Sequence, residues 1–234
     1  RRTRDAAGDL RPSPAATCRG RLSTGRQRIL RDIGRRRPCA DDGWLYFASS
    51  DEEGEREDGS APPRWGGHFW RLDPDSAKWE YIWTAPEGLV AVSGVGRYVY
   101  VLGYFDHVLY QHDTVTRKTK RVVVGSFGGH VSRNFLSDGR GHAFVPRLTG
   151  TRQGKVAVAL VEYDSELQEL AATPLEYYGG GGAIAENHGI TGLAYLADGR
   201  MAFTTHRGYL YLIEPQAGGP SRVLPVGWFN PTRE

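Results

Sequence analysis

Cysteine is almost missing from this chain. Its 234 residues hold two, Cys18 and Cys39, and both precede Trp44. The rest therefore has no disulfide framework and no cysteine-ligated metal. No run of about eighteen apolar residues occurs, so no segment reads as a membrane-spanning helix. No basic-then-apolar leader is visible either. The first residue is Arg1 and the single methionine is Met201, so the natural N-terminus is expected to lie upstream. Phe, Trp and Tyr are absent from residues 1–43. Without aromatic mass that segment cannot offset its ordering entropy, so residues 1–40 are expected to form a disordered, Arg-rich arm. A basic excess is absent from everything after the arm. The chain carries +3. Residues 1–38 contribute +9, from twelve Arg against three acids, which leaves −6 for the remainder. Nucleic acid binding needs clustered Lys and Arg, so the body is not expected to bind it.

From Trp44 onward short aromatic and β-branched runs recur. "WLYFASS", "RYVYVLGY", "HAFVPRL" and "MAFTTH" each follow a glycine turn, the pattern of a strand leaving a tight turn. "HFWRLDPDS", "VLYQHDTVT", "LVEYDSEL" and "LYLIEPQA" each end in an acid and then a turn. Those acids are Asp73, Asp113, Asp164 and Glu214, spaced 40, 51 and 50 residues apart. A third set, "KWEYIWTAP", "KTKRVVVG", "LQELAATPL" and "SRVLPVGW", closes each unit. Four strands per unit at a period of about fifty residues predict an all-β chain of β-propeller blades. The expected units are 41–88, 89–128, 129–186 and 187–234. The first lacks a credible innermost strand, since "ILRDIGRRRP" does not read as one. Four units lie at the low end of propeller size. The chain is therefore expected to be part of a larger propeller, with open edges inviting missing blades or self-association.

The segment "GGHFWRLDPDSAKWEYIWTAP" resembles a kelch repeat, through Gly66-Gly67, Trp70 and then Trp79. The second unit keeps Tyr110 but has Thr119 where the tryptophan would fall. Asp73 to Lys78 is similar to the turn of pyrroloquinoline-quinone-type propellers, with Ala77 where those carry glycine. The other units resemble the NHL, gluconolactonase and streptogramin-lyase propellers. These resemblances imply the fold and assign no activity.

In an antiparallel meander a–b–c–d, the a–b and c–d turns share one face and the b–c and d–a loops share the other. His68, His107, Arg147 and His206 fall in or beside b–c loops. Glu87, His130, Glu186 and His188 fall in d–a loops. His130 and His188 directly precede inner strands, where they are expected to face the central channel. As a catalytic pair they would supply a general base, with Arg133 or Arg147 holding an anionic substrate. With Glu186 or Glu87 they could instead hold a divalent metal. Streptogramin lyase and oligogalacturonate lyase are similar in placing histidines on a propeller face. His112 and His142 are expected to be strand-face residues satisfied by neighbours. Trp65, Phe69 and Trp70 offer rings for a sugar or peptide, or pack between blades. The function expected first is a binding module that presents its looped face to a protein or carbohydrate. The alternative is a propeller lyase or hydrolase.

Overall fold

The computed structural model describes residues 28–29, 40–53, 64–104, 106–125, 132, 134–150, 156–176, 189–205 and 208–229. Its elements form four four-stranded antiparallel sheets. Blade 1 holds β1 (Arg28–Ile29), β2 (Leu45–Glu53), β3 (Arg64–Leu72) and β4 (Trp79–Ala85). Blade 2 holds β5 (Leu89–Val95), β6 (Tyr98–Gly103), β7 (Val108–Asp113) and β8 (Thr119–Val123). Blade 3 holds β9 (Leu136–Ser137), β10 (Ala143–Gly150), β11 (Val156–Tyr163) and β12 (Glu169–Pro174). Blade 4 holds β13 (Ile190–Tyr195), β14 (Met201–Thr205), β15 (Tyr209–Glu214) and β16 (Arg222–Trp228). Each sheet is ordered as its strands occur in the chain. These are β-propeller blades, and no helix occurs among the described residues.

Blade 1 has the innermost strand that its sequence pattern did not suggest. Arg28 pairs with Ser50 and Ile29 with Ser49. Two residues are too few for a side-chain period to be visible, because the pairing is made by backbone groups.

Three of the four recurrent acids close their c–d turns, while the Glu214 carboxylate pairs with Arg222. Asp73 accepts the Asp75 amide at 3.0 Å and the Ser76 hydroxyl at 2.6 Å. Asp113 accepts the Val115 amide at 3.0 Å and the Thr116 hydroxyl at 2.7 Å. Asp164 accepts the Glu166 and Gln168 amides, both at 2.8 Å. A carboxylate bonded to amides two residues on fixes the turn that the next strand leaves. Asp138 and Asp198 do the same in the a–b turns, accepting the Arg140 and Arg200 amides. Sequence spacing, turn chemistry and strand register are thus one repeated device.

Alternation along each strand sends one row of side chains to each neighbouring blade. Tyr46, Phe69, Val99, Val101 and Tyr110 are buried together between blades 1 and 2. Tyr100, Leu102, Val145, Val161 and Tyr163 fill the space between blades 2 and 3. Phe144, Leu160, Phe203, Tyr211 and Ile213 fill that between blades 3 and 4. Burial of each such side chain stabilises by about 1.5–3 kcal/mol. At the two ends of the series, Trp79 and Tyr81 on blade 1 and Val226 on blade 4 remain exposed.

Candidate functional site

The meander separates two ends of the blades. One end carries the a–b and c–d turns, and several of its charged groups are consumed in building it. Glu162 on β11 is the centre of that network and is 3 % exposed. It accepts the Ser221 amide at 2.6 Å and the Ser221 hydroxyl at 2.9 Å. His142 Nδ1 lies 2.8 Å away and an Arg140 nitrogen 3.2 Å away. Arg140 also donates to Asp138 at 2.8 Å and to the Gln216 carbonyl at 2.7 Å. This network ties blade 3 to the c–d turn of blade 4. Sequence reasoning did not find it. The available signal was an acid on the apolar face of "ALVEYD", two residues beyond the buried Leu160.

The other end carries the b–c and d–a connections. Between blades 1 and 2 it is floored by Glu87, His107 and Tyr110. The segment that bears Glu87 is pressed against its own blade. A Cβ at Gly67 would lie 2.7 Å from Leu89 Cγ and 2.8 Å from the Glu87 carbonyl, so glycine is required at Gly67. Gly66 is not constrained in this way, with its nearest atom at 3.8 Å. Across the blade boundary, a Cβ at Gly103 would sit 2.3 Å from Glu87 Cδ. Glu87's carboxyl fills the space a side chain would need there.

Glu87 is 4 % exposed. Its Oε1 accepts the Tyr110 hydroxyl at 3.1 Å, while its Oε2 is buried without a hydrogen bond. Burial pushes the carboxyl up to about 7, against the smaller opposing effect of the Tyr110 hydrogen bond. Tyr110 rises to about 12, through burial and the neighbouring Glu87 charge. A carboxyl titrating near 7 can hold or release a proton at physiological pH. His107 is wholly buried, in the left-handed backbone region at φ 53°. Both ring nitrogens lack partners, and burial pushes the imidazole down to about 3. It is therefore neutral and closed to solvent.

The remaining candidates divide as follows. His130, His188, Arg133, Glu186 and His206 lie outside the described residues. His68 stands on β3 with Nδ1 2.8 Å from the Thr84 hydroxyl, between the rings of Trp70 and Tyr81. Arg147 stands on β10 and donates two hydrogen bonds to Glu169, at 2.7 and 2.9 Å. That ion pair crosses its own blade. The structure therefore gathers Glu87 and Tyr110 at one blade boundary and leaves His68 and Arg147 in separate local contacts. His112 meets Thr119 at 3.0 Å and His142 meets Glu162, as expected for strand-face histidines. Phe69 is fully buried against Tyr46 and Trp83, so its ring packs between blades and is closed to a ligand. Among the described residues no three His, Cys, Asp or Glu side chains converge on a metal-sized site. None of the described segments is a helix long and apolar enough to cross a membrane.

No protein-family model matches the chain, and no curated protein matches it. Several solved structures are similar in fold. The complex of KlAtg21 with the coiled-coil of AgAtg16 is 13 % identical with a TM-score of 0.48, covering 79 % of this chain and 53 % of that one. The periplasmic gluconolactonase of Pseudomonas aeruginosa is 15 % identical with a TM-score of 0.43, covering 81 % and 56 %. The 644–1017 fragment of HIRA is 10 % identical with a TM-score of 0.41, covering 80 % and 51 %. The chain thus spans about half the length of the structures it matches.

Proposed function

We propose that this chain is a binding module that presents its looped face to a protein or carbohydrate ligand. The observation that carries this reading is the inequality of the two blade ends. In blades 2 to 4 the turn end is made of short connections, and Asp113, Asp138, Asp164 and Asp198 lock four of them, as Asp73 locks the c–d turn of blade 1. Of the four longest connections, 54–63, 124–135 and 175–189 leave the opposite end, and 30–44 between β1 and β2 is the one at the turn end. Loops on a rigid scaffold carry recognition more often than the scaffold itself. His130, Arg133, Glu186 and His188 lie in two of these connections, and His206 lies between β14 and β15 on the same end. With His68 and Arg147 they make the ligand-binding set of this proposal, while His107, closed to solvent, supports that face from beneath.

The second reading is a lyase or hydrolase with His130 and His188 as catalytic residues, aided by a divalent metal. Glu87 favours it, as a carboxyl near neutrality at the base of the same face. One double variant tests both readings. His130→Ala/His188→Ala is expected to lose capture on a glycan or peptide array while its unfolding midpoint moves by no more than about 0.5 kcal/mol. Retained capture by the double variant counts against this face. Turnover of a captured glycan that stops on chelation replaces the binding reading with the enzymatic one.

A further inference from the structure

A separate surface lies on the outer rim, between β4 of blade 1 and β7–β8 of blade 2. It is a cleft of about 350 Å³. Trp83 and Tyr110 form its apolar wall, with ring centroids 4.8 Å apart. Trp83 is also packed on Phe69. Its indole N–H is buried without an acceptor.

The opposite wall is cationic. The run Arg117-Lys118-Thr119-Lys120-Arg121 holds two of the chain's four lysines, in a body whose balance is acidic. Arg121 pairs with Tyr110 across the sheet, and Thr119 with His112. Both side chains therefore stand on the face turned towards blade 1, as Tyr110 does. Lys120 pairs with Gln111, and its ammonium is bound by Glu166 of blade 3.

Blade 2 departs from the other blades here. Arg71 is held by Glu80, Arg147 by Glu169, and Arg222 by Glu214. Each cation has an acid within its own blade. Blade 2 has one such pair, Arg97 with Asp113, but the β7 residues beside Lys120 and Thr119 are the uncharged Gln111 and His112, the latter pushed down to about 4 by burial. Arg117 and Arg121 are exposed and have no salt bridge among the described residues. The contact Arg121 does make is with the Tyr110 hydroxyl, and Glu87 feels its charge. No acid lines the cleft.

We propose that this cleft binds a tetrahedral oxyanion, a phosphoryl or sulfate group, through Arg117 and Arg121. Guanidinium forks match such groups bidentately. Two forks from one wall suit an anion with three or more terminal oxygens, whereas one fork satisfies a carboxylate. The Thr119 hydroxyl, already bonded to His112, completes a polar wall against the rings. The cleft shares Tyr110 with the floor of the looped face, but Arg117, Thr119 and Arg121 belong to the rim alone.

The test is a titration of the full chain with sodium phosphate, sulfate or acetate, at ionic strength held constant with sodium chloride. The readouts are the thermal midpoint and tryptophan fluorescence. Saturable responses to phosphate or sulfate are expected, and the stronger of the two identifies the group. Arg117→Gly and Arg121→Gln should each weaken the response at least about tenfold. Arg117 lies in the left-handed region at φ 57°, so glycine keeps that turn folded and the variant stays interpretable. A phosphate response equal to that of chloride, or unchanged in both variants, overturns the proposal. An equal response to acetate overturns the assignment to tetrahedral anions.

Discussion

The two ends of the blades solve opposite problems with the same residue types. At the turn end, Glu162 is buried and fully engaged by Ser221, Arg140 and His142. At the looped end, Glu87 is equally buried but keeps one carboxylate oxygen without a partner. His107 beside it keeps two unpartnered nitrogens. A satisfied buried network fixes blade against blade, while unsatisfied buried groups cost stability and are tolerated where a site needs them. The turn end is therefore the fastening of the molecule, and the looped end holds its unspent polarity.

The strongest way to break this comparison is to remove Glu162. Glu162→Ala leaves the Ser221 amide without its acceptor, strips His142 of its anion and leaves Arg140 with Asp138 as its remaining anion. Breaking a buried ion pair from one side costs about 3–5 kcal/mol. The part-exposed Arg140 can recover some solvation, so about 3 kcal/mol is expected. Urea denaturation measures it. A loss below about 1 kcal/mol would mean that the turn end does not hold blades 3 and 4 together.

Glu87 sharpens the comparison through pH. Its carboxyl titrates near 7 in the fold, against about 4.3 in an unfolded chain. Between those values the folded state keeps a proton that the unfolded state has released, so stability falls as pH rises through that window. His107 and His112 act in the other direction. They titrate near 3 and 4 in the fold and near 6.5 when unfolded. Their contribution is complete above about 6.5 and is lost as pH falls towards the folded values. Stability should therefore peak near neutrality. Glu87→Gln removes the alkaline side of that peak, with a gain on the order of 2 kcal/mol at pH 8 and a smaller one, about 1 kcal/mol or less, at pH 5. Denaturation midpoints at the two pH values measure it. An equal gain at both would show that the benefit comes from packing against Gly103 and Tyr110, and not from titration.

The blades were legible because their instructions are local. Asp73, Asp113 and Asp164 each bond within a few residues, so their recurrence survives in the sequence. β6 likewise reads as an almost unbroken apolar run because both its faces are buried by neighbouring blades. The innermost strand of blade 1 was not legible, since a strand of two residues, Arg28 and Ile29, is too short to show a period. Among candidate site residues, the looped-end position of Glu87 and His107 followed from strand order. Their burial did not, because it depends on how Gly103, Tyr110 and the connection 86–88 meet across a blade boundary. Arg147 illustrates the same limit. Its place near a b–c connection was readable, but its capture by Glu169 needed the register of β10, β11 and β12. The rim cleft needs blade 1 set against blade 2, and only its charge run is written in one place.

The smallest effect lies in the turns themselves. Ala77, Arg117 and Leu167 occupy corresponding places in the c–d turns of blades 1, 2 and 3, at φ 55°, 57° and 61°. The left-handed region costs a residue with a Cβ roughly 1–2 kcal/mol. Glycine avoids that cost but adds freedom to the unfolded chain, which returns about 0.4–1 kcal/mol. Ala77→Gly should therefore raise stability by a few tenths to about 1 kcal/mol. Ala77 is exposed and contributes no packing to lose, so the balance there is almost purely conformational. Leu167 differs, because it is 6 % exposed and packs with Tyr163 and Val161 between blades 2 and 3. Leu167→Gly should destabilise by about 2 kcal/mol or more, since lost burial outweighs relieved strain. The pair of denaturation midpoints separates backbone from core in one turn type. Equal signs for the two variants would show that the turn conformation is not what the repeated acid is there to hold.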